Sequence, residues 1–114
     1  MNHLGLEAFV TGKSEFERYL PLTESTYYIM LALIEPLHGY GVMQKVEILS
    51  EGTVKLGPGT LYGALQILEK EHLIDKVGEI DRRKIYVLTA KGHQILKSQV
   101  ERLAVMLRGG QVIQ

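Results

Sequence analysis

Residues 57–88, GPGTLYGALQILEKEHLIDKVGEIDRRKIYVL, constrain the fold of this chain more than any other stretch. Leu61, Ala64, Leu65 and Leu68 recur at the spacing that gathers one apolar face on a helix. At about 100° per residue, Gly59, Gly63, Gln66 and Lys70 point the opposite way, and Tyr62 falls on the flank between. Proline suits a first helical turn and Thr60 is a competent cap, so the helix is expected to begin near Pro58-Gly59-Thr60. Two β-branched and aromatic runs follow, Leu73–Val77 and Lys84–Leu88, read as strands flanking a turn that begins at Gly78. Asp81-Arg82-Arg83-Lys84 lies near the tip of that hairpin. A groove-sized helix followed at once by an arginine-bearing hairpin is the arrangement of a winged helix-turn-helix. The expected class is mainly α with a small β-hairpin wing (α+β), with an added C-terminal dimerisation helix.

The flanking segments fit this reading. Residues 1–18 read as an N-terminal extension, flexible or in part an expression remnant, although Ser14 and Glu17 match a capping box for a short helix that Pro21 ends. Residues 19–89 form the winged helix-turn-helix unit. Its first helix is expected over about Thr23–Glu35, apolar all round from Tyr27 to Ile34, which calls for cover on most sides. Its second helix is expected from Gly41 to Ser50, stopped by Gly52, with Thr53–Leu56 as a short strand. Thr89 caps a last helix over residues 90–108, along which Leu96, Val100, Leu103 and Leu107 form one stripe; residues 109–114 are a tail. The stripe is either cover for its own domain or a seam for a second copy. The apolar surplus on the first helix, including Tyr28 and Leu31, favours the second copy, and a two-fold dimer matches two-fold DNA half-sites.

Charge weighs against nucleic acid. Thirteen basic residues meet thirteen acidic ones in 114, and DNA-binding domains usually carry a basic excess or a basic face. Binding therefore requires segregation, and Arg82, Arg83 and Lys84 are the dense basic cluster. The bland reading of that cluster is a solvated turn neutralised by Glu79 and Asp81; the helix before it favours a wing that lays cations on phosphates or in a narrow minor groove. On the helix, Gly59 and Gly63 let a backbone approach phosphates, while Thr60, Tyr62, Gln66 and Lys70 supply hydroxyl, amide and ammonium groups. The bland reading there is a surface helix whose glycines only ease packing. Glycine at 63 costs up to about 1 kcal/mol against alanine, so it needs a reason.

Other chemistries find little support. Gly57-Pro58-Gly59-Thr60 lacks the spacing of a phosphate-binding loop. His3, His38, His72 and His93 share no metal-ligand spacing, and no serine sits in a nucleophile motif, so no metal, cofactor or enzyme activity is expected. Cysteine is absent, no secretory signal is visible, and the longest apolar run is far short of a membrane span, so a cytoplasmic location without membrane contact is expected.

Three phrases in register resemble one family. YLPLTESTYYIMLALIEPLHGYGVMQKVEIL resembles the first two helices of the PadR-type transcriptional regulators, in the short group without a large C-terminal domain. GPGTLYGALQILEKEHLI resembles their recognition helix, and DRRKIYVLTAKG their second wing strand and the start of the dimer helix. The likeness runs from about Tyr19 to Leu107. It implies a homodimeric repressor on an inverted-repeat operator, with the third helix in the major groove and the wing at the backbone or minor groove. By matching position, Thr60, Tyr62 and Gln66 become groove-side residues, and Arg82, Arg83 and Lys84 wing contacts. The family represses genes such as those for phenolic-acid detoxification or multidrug efflux, and some members bind flat aromatic compounds between the dimer helices.

Two departures stand out. Gly63 replaces a frequent proline, and the usual Gly-Leu-Ile at the helix end reads His72-Leu73-Ile74 here. Tryptophan is absent, so an effector pocket would rest on Tyr27, Tyr28 or Phe16 instead. From a different class comes the alternative of a winged-helix protein-interaction module that does not bind DNA, which the neutral net charge suits.

Overall fold

The computed structural model describes residues 16–114. Among the described residues, four complete helices and a three-stranded antiparallel sheet follow one another as α1 (Glu24–Ala32), β1 (Leu37–His38), α2 (Gly39–Leu49), α3 (Pro58–Lys70), β2 (Ile74–Ile80), β3 (Arg83–Leu88) and α4 (Ala90–Gly110). A short 3-10 turn, Gln111–Ile113, ends the chain. The capping-box serine, Ser14, lies outside the described residues, as does the rest of the extension before Phe16. No helix among the described residues is long and apolar enough to cross a membrane.

Each helix start has a local cause. The Thr23 hydroxyl accepts from the Thr26 amide and fixes the start of α1. α1 ends at Ala32, three residues before the expected Glu35, with Leu33 at its C-cap. α2 begins two residues earlier than expected because His38 caps it: the Gly41 amide donates to His38 Nδ1 at 3.1 Å. Histidine is outside the usual set of capping residues, so this start left no readable mark. α3 begins with Pro58 at its first position and Gly57 as cap. Thr60, expected as a cap, instead sits inside the helix with its side chain in solvent. Thr89 caps α4 through the Gly92 amide at 3.0 Å, as its sequence promised.

The sheet corrects the strand reading. Thr53–Leu56 is not a strand: the Ser50 hydroxyl receives the Val54 amide at 3.0 Å and draws that loop inward, burying Val54. The third strand is β1, two residues long, paired with β3 through Leu37↔Tyr86 and His38↔Ile85. β2 continues past Gly78, where the register shifts between Lys76 and Gly78, and the turn is Asp81-Arg82. Both turn residues have positive φ, 51° and 65°, as a two-residue hairpin of type I′ requires.

The core collects Ile29, Met30 and Leu33 of α1 and its C-cap, Val42 and Val46 of α2, and Leu61, Leu65 and Leu68 of α3. Ile74, Tyr86 and Leu88 of the sheet close it. The first half of α4 belongs to the same core, with Ile95 and Leu96 buried. Leu96, expected in the dimer stripe, is only 4% exposed and packs within its own domain. Gly109-Gly110, expected to end the last helix, are its last turn.

Candidate nucleic-acid interface

α3 is laid on the core by Leu61, Leu65 and Leu68, each of which gains about 1.5–3 kcal/mol from burial. That packing fixes which side faces out. Gly59, Thr60, Tyr62, Gly63, Gln66 and Lys70 are all exposed, as the helical spacing predicts. A Cβ added at Gly59 or Gly63 would meet nothing in the chain. Neither glycine is demanded by internal packing, and neither has a positive φ.

Tyr62 is less free than its half-exposure suggests. A Cβ on Gly39 would stand 2.6 Å from its hydroxyl and 2.9 Å from its ring carbons. The phenol therefore lies across the first turn of α2, and Gly39 is small because Tyr62 is there. Nothing in the sequence pattern pointed to this contact, which joins residues 23 positions apart.

The wing brings its cations to the same place. Arg82 is in the hairpin turn, while Arg83 and Lys84 start β3 opposite Ile80 and Glu79. Of the two carboxylates expected to neutralise them, Glu79 is engaged elsewhere, accepting from Lys76 Nζ at 3.3 Å, and Asp81 shares the turn with Arg82 without an ion pair to it. Among the described residues, none of Arg82, Arg83 and Lys84 is in an ion pair. Between wing, α3 and the start of α2 opens a cleft of about 440 Å³. Tyr40, Tyr62, Gln66, Arg82, Arg83 and Lys84 line it, with no carboxylate among the lining residues. At its back Tyr86 is buried, and that burial, then the charges of Glu69 and Tyr62, raises its phenol pKa. The segregation that a neutral chain needs for binding a polyanion is thus present locally.

None of the expected dimer residues lines that cleft. Tyr28 and Leu31 are half-buried on α1. Along α4, Val100 is 45% exposed, Leu103 half-buried and Leu107 63% exposed. Met106, absent from the sequence expectation, is as exposed as Leu107. Beside them a cavity of about 260 Å³ is lined by Tyr27, Tyr28, Leu103 and Met106, with Gln99 at its edge. Gln99 is buried and its Oε1 accepts from the Leu22 amide at 2.7 Å, which holds the segment before α1 against α4. Phe16 lines a different hollow, with Leu20 and Val105.

Known proteins share both fold and sequence pattern. A PadR regulator from Clostridium difficile superposes with a TM-score of 0.69 at 21% identity, covering 81% of this chain and 100% of that one. A transcriptional regulator from Clostridium thermocellum gives 0.64 at 23% identity over 86% and 92% of the two chains. A PadR-family regulator from Eggerthella lenta gives 0.64 at 20% identity over 97% of each. At these identities the likeness establishes the fold. An uncharacterised 37.1 kDa protein in a transposon of Streptomyces fradiae is 36% identical over 77 residues, which are 67% of this chain and 22% of that protein. The chain thus spans about a fifth of that relative's length. The sequence model described as "Transcriptional regulator PadR-like family" matches residues 29–98, from the core of α1 into the first half of α4. With that match over more than half its length, on a winged-helix fold shared with solved PadR regulators, the chain belongs to the PadR-like family of transcriptional regulators, which are not enzymes.

Proposed function

We propose that this chain is a homodimeric repressor that binds an inverted-repeat operator in duplex DNA. The observation that carries the reading is the juxtaposition of three cations, free of ion pairs among the described residues, with the outer face of α3, in a chain whose charges balance overall. α3 enters a major groove about 12 Å wide, where Gly59 and Gly63 allow close backbone approach and Thr60, Gln66 and Lys70 reach bases or phosphates. Arg82, Arg83 and Lys84 hold the backbone or the minor groove beside it. Arg82 adds support of its own. It occupies a left-handed turn position where glycine is preferred, and a side chain retained there at a cost is a mark of function.

Tyr28, Leu31, Val100, Leu103 and Leu107 form the surface for the second copy, which spaces two α3 helices about one DNA turn, roughly 34 Å, apart. The cavity between Tyr27, Tyr28, Leu103 and Met106 is a candidate seat for a flat hydrophobic effector that releases the DNA. Genome fragments retained by the protein identify the operator. Against that duplex, Arg82→Ala with Arg83→Ala should weaken binding on every sequence and reduce the salt slope by about 2. A protein that passes through duplex and heparin columns at low salt would instead be a protein-interaction module.

A further inference from the structure

The cleft between wing and α2 has a chemistry that α3 and the wing do not explain separately. Its polar side chains are all able to donate hydrogen bonds, and three of them are cationic. Tyr40 and Tyr62 are 53% and 50% exposed, and among the described residues neither hydroxyl has a hydrogen-bond partner. Tyr62 cannot swing out as a free groove-reading side chain while its ring lies across Gly39. A cluster of donors with full positive charge and no carboxylate fits an anion rich in acceptors, such as a phosphate. Gln66 lines the cleft from the outer face of α3, so an anion held here lies alongside whatever that face contacts.

We propose that this cleft seats one backbone phosphate of duplex DNA, with Tyr40 and Tyr62 donating their hydroxyls to it beside the wing cations. The proposal rests on the DNA-binding reading above and changes it in two respects. Tyr40, which sequence reasoning left without a role, becomes a contact residue. Tyr62 becomes a phosphate anchor, so it sets the register of α3 on the duplex and carries no base preference.

The test compares the wild type with Tyr40→Phe and Tyr62→Phe on a duplex selected by the protein and on an unrelated duplex. Each variant should keep its melting temperature and bind both duplexes about tenfold more weakly, with the ratio between them preserved. The salt slope should stay unchanged, because a phenol carries no charge, whereas Arg82→Ala lowers it by about 1. Replacing phosphates singly by uncharged methylphosphonate should reveal one linkage at which the wild type loses affinity and the tyrosine variants lose nothing more. Unchanged affinity in both variants, or a shifted preference between the duplexes, overturns the proposal and leaves DNA binding intact. A wild type that binds no duplex overturns the DNA reading. In that case, calorimetric binding of inorganic phosphate that Tyr40→Phe removes would retain the seat as an anion site, and its absence would remove the seat as well.

Discussion

The C-terminal end of α3 is tied to two other segments of the chain, whereas Gly59 and Gly63 on its outer N-terminal face meet none. Glu71, at the C-cap, accepts from the Tyr19 hydroxyl at 2.9 Å and from Arg18 at 3.1 Å. Lys91 of α4 donates to the Glu71 carbonyl at 3.0 Å and to the Tyr19 hydroxyl at 2.8 Å, and Arg18 donates to that hydroxyl as well. The next residues close a Schellman turn, with the Leu73 amide on the Leu68 carbonyl and the His72 amide on that of Glu69. At the other end, Gly57 provides no side-chain cap, and the outer glycines touch nothing. One end is held and the other is open. A helix anchored in this way can present unfilled surface without being free to move, which suits a partner that has to find it in one orientation.

The largest effect should come from the tied end. A Cβ on Gly92 would stand 2.3 Å from the Leu73 carbonyl oxygen and 2.6 Å from Leu88, so backbone would have to move. Gly92→Ala is expected to cost about 3 kcal/mol, read as a fall in midpoint on urea unfolding. A loss below about 1 kcal/mol would show that α4 is not clamped to the end of α3, and the contrast between the two ends would fail.

Tyr19→Phe should act next. It removes the hub while keeping the ring, and the melting temperature should fall by a few degrees at neutral pH. The Tyr19 hydroxyl is the largest cause that lowers the Glu71 pKa, ahead of the charges of Arg18 and Lys91. A carboxylate with a lowered folded pKa stabilises above its unfolded pKa and loses that contribution as pH falls through the folded value. The gap between wild type and Tyr19→Phe should therefore be widest near neutrality and close through and below the usual carboxylate range. A gap independent of pH would mean the hydroxyl matters by packing alone.

How far these ends were readable from residues alone differs in the same way. The open face was legible, because Leu61, Leu65 and Leu68 set the helix phase and a local period needs no knowledge of the rest of the chain. The hairpin was legible in kind but not in detail. Gly78 was taken for the turn, yet it sits at a register shift, and Asp81-Arg82 turn with positive φ although neither is glycine. The tied end was nearly illegible. Tyr19, Glu71 and Lys91 are joined across 72 residues, and nothing in their spacing announces it. β1 was missed for the same reason, since two residues carry no period and its partner Tyr86 is remote in sequence. A helical stripe does not say which neighbour it faces: the upper part of the α4 stripe, at Leu96, packs in its own domain and only the lower part remains exposed.

His72 was legible as a departure, and the structure supplies its cost. It occupies the left-handed position of the Schellman turn with φ 61°, where glycine is preferred. His72→Gly should stabilise the protein by about 1 kcal/mol and leave DNA binding unchanged, because His72 does not line the cleft. Arg82→Gly relieves a similar backbone penalty in the wing, so it should stabilise comparably but weaken binding. If the two variants behave alike towards DNA, the wing has no part in recognition.

The smallest change in stability, at Gly63, puts most strain on the comparison. The residue lies within a helix, has open space around it, and is replaceable by alanine without a clash. In the free protein, Gly63→Ala should add about 0.5–1 kcal/mol, since alanine loses less backbone entropy on entering a helix. Nothing inside the molecule then accounts for the glycine. If α3 lies in a groove with its backbone against the duplex, the added methyl is paid for there, and the variant should be more stable yet bind DNA more weakly, seen as a raised urea midpoint beside a raised Kd. Because no charge is removed, the salt slope should be the same as in the wild type. A variant that gains stability and binds as tightly as before would leave the open face of α3 unexplained by close approach, and the groove contact would have to fall on the longer side chains Thr60, Gln66 and Lys70 alone.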